Sequence, residues 1–530
     1  MALIDTPTFT RAAAAAPHIL AAETGRNILA EGGNAAEALV GMAATIAMVY
    51  PHMNSVGGDG FWLIREPKGR VRYIEACGFA SRNATIAYYR GLGYDAIPPR
   101  GALAALTVPG AIGGWMLALE LARALGGKLP LADLLRDAIR FGRDGYPQSR
   151  SEAHGKPFEF DMLKDAPGFA ARFLIDGKFP EAGTMRRAEK LSDTLDQLAH
   201  AGLDDFYRGD VGRELAADLE QIGAPLVRED LAAYRAVARD ALELHLNQRS
   251  HYNSPPPTQG LASLLILGIF DRLKVPRKDS FEHIHGLIEA SKRALTIRDR
   301  VCTDFECLKH APDTFLTPQA LQREADAISM QRAAPYPVAP ANGDTIWMGA
   351  IDASGLAVSY IQSLYWEYGS GCVLPRTGVL MQNRGVSFSL DATAMNPLAP
   401  GRRPFHTLNP ALASFSDGRV MCYGAMGGDG QPQFQAQVFT RYFLGEGLAD
   451  AIDAPRFLFG RTWASPSRAL KIEDRFDPQI VERLRAVGHE VEMLGAYDEN
   501  LGHAGALVRY PDGHIEAAHD PRSDGGAAGI

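Results

Sequence analysis

Ala333-Ala-Pro-Tyr-Pro-Val-Ala-Pro-Ala-Asn-Gly-Asp344 runs directly into Thr345-Ile-Trp-Met-Gly-Ala-Ile-Asp352, and the texture of the chain changes at that junction. The first stretch holds three prolines and a glycine and has no periodic apolar face, which reads as a linker. Beyond it, 346–351, 356–361, 378–381, 412–415 and 419–423 read as short strands separated by Asp, Ser and Gly turns. Thr345 therefore opens a strand at the end of a flexible segment.

Upstream the pattern is mostly helical. Residues 21–49 read as an amphipathic helix, a turn at Gly32-Gly33-Asn34 and a second, Ala-rich helix. The cluster Val56-Gly-Gly-Asp-Gly60 feeds Phe61–Ile64, and with Val71–Ile74 this predicts a hairpin-like pair of strands. Helices follow from Gly114 to about Ala238, broken at Gly145-Tyr-Pro147 and Tyr207-Arg-Gly-Asp210. After Asn253-Ser-Pro-Pro-Pro257 further helices are expected from near Gln259 and over 281–299. No internal repeat is visible, which excludes solenoids and propellers.

At 530 residues the chain is long enough for two or three domains or one large intertwined α/β unit. Its 54 basic and 62 acidic residues are interspersed, and a net charge of -8 offers no footprint for nucleic acid or an anionic membrane. A small-molecule partner is the default. The alanine run Ala12–Ala16 is preceded by Asp5 and Arg11 and interrupted by Pro17-His18, too short and broken for a secretory signal or membrane span. Five cysteines (Cys77, Cys302, Cys307, Cys372, Cys422), an odd number without CxxC spacing, fit a reducing, cytoplasmic setting, each expected as a small buried hydrophobe.

A hydroxyl is a poor nucleophile at neutral pH unless a base sits beside it. Cutting the Asp344–Thr345 bond would give Thr345 such a base, its own α-amine, whose unperturbed pKa is about 7.7–8.0. Spacing alone favours a structural threonine at such a position. The run 345–352, followed by Gly355-Leu-Ala-Val-Ser359 and Gly369-Ser-Gly371, resembles the nucleophile segment of the γ-glutamyltransferase family, the glutathione hydrolases and related acylases. Gly32-Gly-Asn-Ala-Ala36, Gly57-Gly-Asp-Gly60, Val108-Pro-Gly110, Asp230-Leu-Ala-Ala-Tyr234, Pro255-Pro-Pro257 and Asp520-Pro-Arg522 before Gly525-Gly-Ala527 extend the resemblance over nearly the whole chain.

The resemblance implies a four-layer αββα N-terminal-nucleophile sandwich, built as a heterodimer of a large subunit, residues 1–344, and a small subunit, residues 345–530, cut from one zymogen. It implies an autocatalytically activated threonine amidohydrolase in which Thr345 is nucleophile and, through its α-amine, base. Gly427 and Gly428 fall on the family's oxyanion-hole pair, where a residue without Cβ lets backbone N–H groups approach closely. Ser363 falls on a second hydroxyl that assists cleavage and orients Thr345. A dimer of such heterodimers is compatible with the resemblance.

Departures from the family pattern concern the head group. Where a carboxylate-binding arginine belongs, the chain reads Cys77-Gly-Phe-Ala-Ser81, with Arg82 nearby; Tyr365 replaces an Asn, Ser387 an Asp that would pair with an α-amine, and His406-Thr407 a Ser-Ser pair. Losing the acid removes the reason to bind an ammonium, while Arg384, Arg402, Arg403 and His406 leave donors for a carboxylate. Arg384, His406, Thr407, Tyr365 and Asn383 are the candidate substrate-binding residues. The segments 344–347, 380–385, 404–410 and 427–432 are most similar to the oxamate amidohydrolase branch, which would make oxalate and ammonia from oxamate. Two alternatives within the family are γ-glutamyl hydrolysis or transfer and a cephalosporin-type dicarboxylic acylase; an uncleaved binding protein retaining the fold is a third. Glu282-His283-Ile-His285 puts its histidines at i and i+2, which diverge on a helix, and Gly57–Gly60 lacks the Lys-Ser/Thr ending of a P-loop, so no metal or other cofactor is implied.

Overall fold

The computed structural model describes residues 6–154, 160–335, 344–460 and 469–530. Two seven-stranded sheets, every pairing antiparallel, lie at the centre. In spatial order the first runs Gly526–Gly529, Ala13–Ala16, Asp344–Ile351, Ala357–Tyr365, Asp59–Arg65, Val71–Ala76, Val237–Arg239. The second runs Thr8–Phe9, Ile515–His519, Ala504–Arg509, Val420–Ala425, Ala411–Phe415, Arg249–Asn253, Leu242–Leu246. Each sheet thus mixes strands from both sides of residue 344.

Alternation along these strands separates two faces. Phe61, Ile361 and Trp347 are cross-strand neighbours in the first sheet and meet Leu412, Cys422 and Leu507 of the second in one interior cluster. Trp347 sets how closely the sheets approach: a Cβ on Gly424 would lie 2.1 Å from its ring, and one on Gly505 2.4 Å. Outward-facing residues of the first sheet pack on Ile19–Ala30, Ala35–Val49 and Ala111–Ala124, those of the second on Gly260–Arg272, Gln431–Phe443 and Leu448–Asp453. The result is the four-layer αββα sandwich.

Local chemistry explains the helices that matter most. Asn34 accepts from Glu37 N while Glu37 Oε2 accepts from Asn34 N, a capping box that starts Ala35–Val49. That helix is buried on every side, hence its alanine content. The Ala13–Ala16 run is an inner strand between Gly526–Gly529 and Asp344–Ile351, all four residues buried. Small side chains fit there because a helix lies directly behind.

Two expectations are corrected. Residues 378–381 form no strand: Gly378 turns with φ +69, closing a loop in which Leu374 N donates to Val379 O, and Met381 makes only an isolated bridge to Gly57. Cys307 is exposed, unlike the other four cysteines. The predicted linker falls outside the described residues from 336 to 343, and only its ends are seen. At the upstream end Ala334 O accepts from Lys292 Nζ (2.7 Å) and Ala334 N donates to Glu289 Oε2 (3.1 Å). Among the described residues, no helix is long and apolar enough to cross a membrane.

Candidate active site

Thr345, Ser363 and Asp59 occupy the same end of three adjacent strands. Ser363 pairs with Asp59, Gln362 pairs with Gly60 and Ile346, and Asp344 pairs with Tyr365. Between Asp344 and Ile346 the register slips by a bulge at Thr345, a device that re-aims a side chain. With strands about 4.8 Å apart, the Thr345 and Asp59 backbones, two strands removed, are on the order of 10 Å apart. Thr345 and Ser363 are both buried. Ser363 Oγ accepts from Tyr365 N at 2.8 Å, and Tyr365 has φ +85, an uncommon backbone for a residue with a bulky side chain. The Arg384 guanidinium lies 3.9 Å over the Tyr365 ring.

From the second sheet, Val420–Ala425 delivers the turn Met426-Gly-Gly-Asp-Gly430 to this end, just before Gln431–Phe443. Gly427 and Gly428 have φ +126 and +53, and a Cβ on Gly427 would lie 2.5 Å from the Phe434 ring, so both conformation and space call for glycine. Consecutive backbone amides at a helix start suit an anion or developing oxyanion. Gln259 braces the turn, donating from Nε2 to the carbonyls of Gly428 (2.7 Å) and Thr407 (2.6 Å). Arg298 Nη1 in turn donates to Gln259 Oε1 and Asp429 Oδ1, both at 2.7 Å.

Beside Tyr365 lies a group of buried polar atoms without hydrogen-bond partners among the described residues: Arg384 Nη1 and Nη2, both ring nitrogens of His406, Thr407 Oγ1 and Asp59 Oδ2. Buried polar atoms in folded proteins are mostly satisfied, and an unsatisfied one costs on the order of 1–3 kcal/mol, more when charged. Burial lowers the Arg384 pKa to about 10, against the opposing pull of Tyr365 and Asp59. His406 is pushed well below the usual histidine value by burial, then by Arg384 and Arg403, and is neutral. Asp59 is raised to about 7 by burial, which outweighs Arg384 and the donors on Oδ1. Those donors are Gly78 N (3.1 Å), Gly110 N (3.0 Å) and Gln382 Nε2 (3.1 Å).

The predicted substrate residues therefore separate. Arg384, His406, Thr407 and Tyr365 come together. Asn383 is spent on shape instead, its Oδ1 accepting from Trp366 N and its Nδ2 donating to Pro99 O. Arg402 is tied to Thr303 Oγ1 at 2.8 Å and Arg403 to Glu75 at 3.0 Å, so neither matches Arg384 as an uncommitted cation. Ser387 Oγ donates to Phe405 O. His283 and His285 are buried and engaged, the first with Thr440 and Asp279 N, the second with His489 and Ser329 O. Asp59, Gln259, Arg298 and Asp429 join the site only in the structure; in sequence Val56–Gly60 reads as a turn and Gln259 as a helix start. An acidic residue leading into a strand as apolar as Phe61–Ile64 was the available signal.

A buried threonine where a linker enters a strand, a glycine turn from the facing sheet and the αββα layering together define an N-terminal-nucleophile hydrolase. The profile of the Gamma-glutamyltranspeptidase family matches residues 21–530, and the chain belongs to that family. It is 50% identical over 522 residues to the oxamate amidohydrolase proenzyme of Klebsiella pneumoniae, covering 98% of each. It is 36% identical to the glutathione hydrolase-like YwrD proenzyme of Bacillus subtilis, over 98% of this chain and 99% of that one. Among solved structures, the cephalosporin acylase from Bacillus halodurans superposes with a TM-score of 0.91 at 29% identity, covering 100% of this chain and 98% of that one.

Proposed function

We propose that this protein is made as a precursor, cleaves itself between Asp344 and Thr345, and hydrolyses a small carboxylate-bearing amide, foremost oxamate, to oxalate and ammonia. The carrying observation is Arg384, a buried guanidinium whose terminal nitrogens have no hydrogen-bond partner among the described residues, beside His406, Thr407 and Tyr365. Such a charge calls for an anion. The identity to the Klebsiella oxamate amidohydrolase proenzyme supports the choice of amide.

In this reading Thr345 Oγ bonds to the amide carbon while its proton passes to the Thr345 α-amine. The Gly427 and Gly428 amides hold the oxyanion. The C–N bond then breaks as the nitrogen takes that proton and leaves as ammonia. Water, giving a proton to the same amine, attacks the ester, and oxalate departs as Oγ recovers its hydrogen. Ser363, adjacent in register, orients the threonine. Residues 1–344 and 345–530 are the two subunits, and five free thiols support a cytoplasmic home.

Steady-state assays on oxamate and on a γ-glutamyl anilide, with denaturing electrophoresis of the same sample, test this. Two fragments and preference for oxamate are expected. Glutamyl turnover without oxamate turnover, or a stable full-length band, would overturn it.

A further inference from the structure

Asp59 has no assigned part in the chemistry above, yet it is the acid of the unpartnered group. Its two oxygens differ. Oδ1 is saturated by Gly78 N, Gly110 N and Gln382 Nε2, while Oδ2 has no hydrogen-bond partner among the described residues and faces His406 Nε2 at 3.7 Å. A proton on this carboxyl therefore belongs on Oδ2, directed into the space shared with Arg384 and His406.

We propose that Asp59 is a specificity-determining residue that, protonated on Oδ2, donates a hydrogen bond to the substrate carboxylate beside Arg384, so that binding the anion takes up one proton. The inference rests on the carboxylate-amide reading of the site. Two carboxylates sharing a dry pocket cannot both stay ionised. In the free protein Asp59 and Arg384 offset one another; when the substrate carboxylate takes Arg384, the proton arriving at Oδ2 keeps the pocket neutral and converts a repelling acceptor into a donor. The groups facing Asp59 are Arg384, His406, Cys77, Tyr207, Tyr234 and Tyr360, with Arg403 beyond His406. Burial holds the cysteine and the tyrosines above their ordinary values and His406 below its own, so Asp59 is the member that changes charge near neutrality. Its value near 7 in the free protein rises further in the complex. Affinity is therefore complete below about pH 7 and falls by up to about tenfold per pH unit above it.

Asp59→Asn tests this because the amide keeps an acceptor for the three donors and places an N–H where Oδ2–H stood. KM for oxamate and Ki for oxalate are measured from pH 6 to 9 in both proteins, each confirmed cleaved by electrophoresis. The α-amine of Thr345 is common to both, so its titration cancels in the comparison. Wild type should lose affinity above pH 7, whereas Asp59→Asn should bind with a flat profile and match wild type at pH 6. The same pH slope in both proteins, or a tenfold loss in Asp59→Asn at pH 6, overturns the proposal; the latter would make Oδ2 an acceptor for the substrate's N–H. Calorimetry of oxalate binding to wild type in buffers of different ionisation enthalpy gives a second readout independent of any variant's folding. Uptake close to one proton at pH 8 is expected, and none sinks the idea. Oxamate turnover without proton uptake refutes this inference alone; neither turnover nor oxalate binding refutes the functional reading beneath it.

Discussion

Asp59 Oδ2 stands 3.7 Å from His406 Nε2, and neither atom has a hydrogen-bond partner among the described residues. The separation exceeds a direct hydrogen bond, so both atoms keep their hydrogen-bonding capacity for a ligand oxygen. His406 is also fixed by packing, its ring meeting Phe61 edge-on at 4.9 Å. His406→Phe should keep that packing and remove both polar edges, raising KM for oxamate by about tenfold with a smaller effect on kcat. Because burial keeps His406 neutral through the working range, no limb of the kcat/KM profile near pH 6.5 should vanish in this variant. Loss of such a limb would show that the imidazole titrates.

Arg384 sets function against stability. Replacing it by Met should abolish oxamate turnover, by roughly 100-fold or more in kcat/KM, since a charge-assisted bond to a desolvated carboxylate is worth on the order of 3 kcal/mol. The same change removes a desolvated charge and leaves Asp59 protonated and neutral, so thermal unfolding should be unchanged or shifted upward. Arg384→Lys should recover only part of the activity, lacking the planar fork. A Met variant that is both active and less stable would show that the guanidinium serves the fold.

Much of the architecture is legible because the elements carry local signals: the turn at Gly32-Gly33-Asn34, the glycine turn before Phe61, the change of texture at Thr345. The strand Ala13–Ala16 is not, since alanine has low strand preference and only the neighbouring chains make it a strand. Within the site, Thr345, Ser363 and the Gly427-Gly428 turn could be found by resemblance, and Arg384 by its setting in Gln382-Asn-Arg-Gly385. Asp59 and Gln259 could not be assigned from neighbours in sequence. Their partners, His406 and Gly428, are distant in sequence, the second by 169 positions; the approach of the two sheets joins Asp59 to His406, and the packing of two helix starts joins Gln259 to Gly428.

Gln259 predicts a rate effect separate from binding. One side-chain amide holds the Gly428 and Thr407 carbonyls together, and Arg298 holds that amide. Gln259→Ala should loosen the glycine turn more than the Thr407 side of the carboxylate pocket, where the Gln259 N–H still holds the His406 carbonyl, lowering kcat for oxamate by about 10- to 100-fold with KM within about threefold. Arg298→Ala should act in the same direction. Equal changes in kcat and KM would indicate collapse of the Thr407 side of the pocket.

Acid should destabilise this protein earlier than carboxylate chemistry alone predicts. His52, His251, His283 and His519 are each held by burial at about 3, so the folded chain keeps them neutral where the unfolded chain, with values near 6.5, takes up protons. Stability from each is complete above 6.5 and is lost as pH falls toward 3, by about 1.4 kcal/mol per pH unit at full titration. Asp59 and Glu152, raised to about 7, act in the opposite sense, because the folded state holds their protons first as pH drops. These four histidines against the two carboxyls leave the equivalent of two groups, or about 3 kcal/mol per pH unit, and His18, His406, His489 and His503 are depressed as well. The unfolding temperature should therefore fall steadily from pH 6.5 to 5. His283→Gln offers a site-specific check: far from Thr345 in the helix Phe281–Val301 and bonded to Thr440, it should lower stability at pH 7.5 yet reduce the slope against pH. An unfolding temperature flat across that window would mean these histidines are protonated in the folded state.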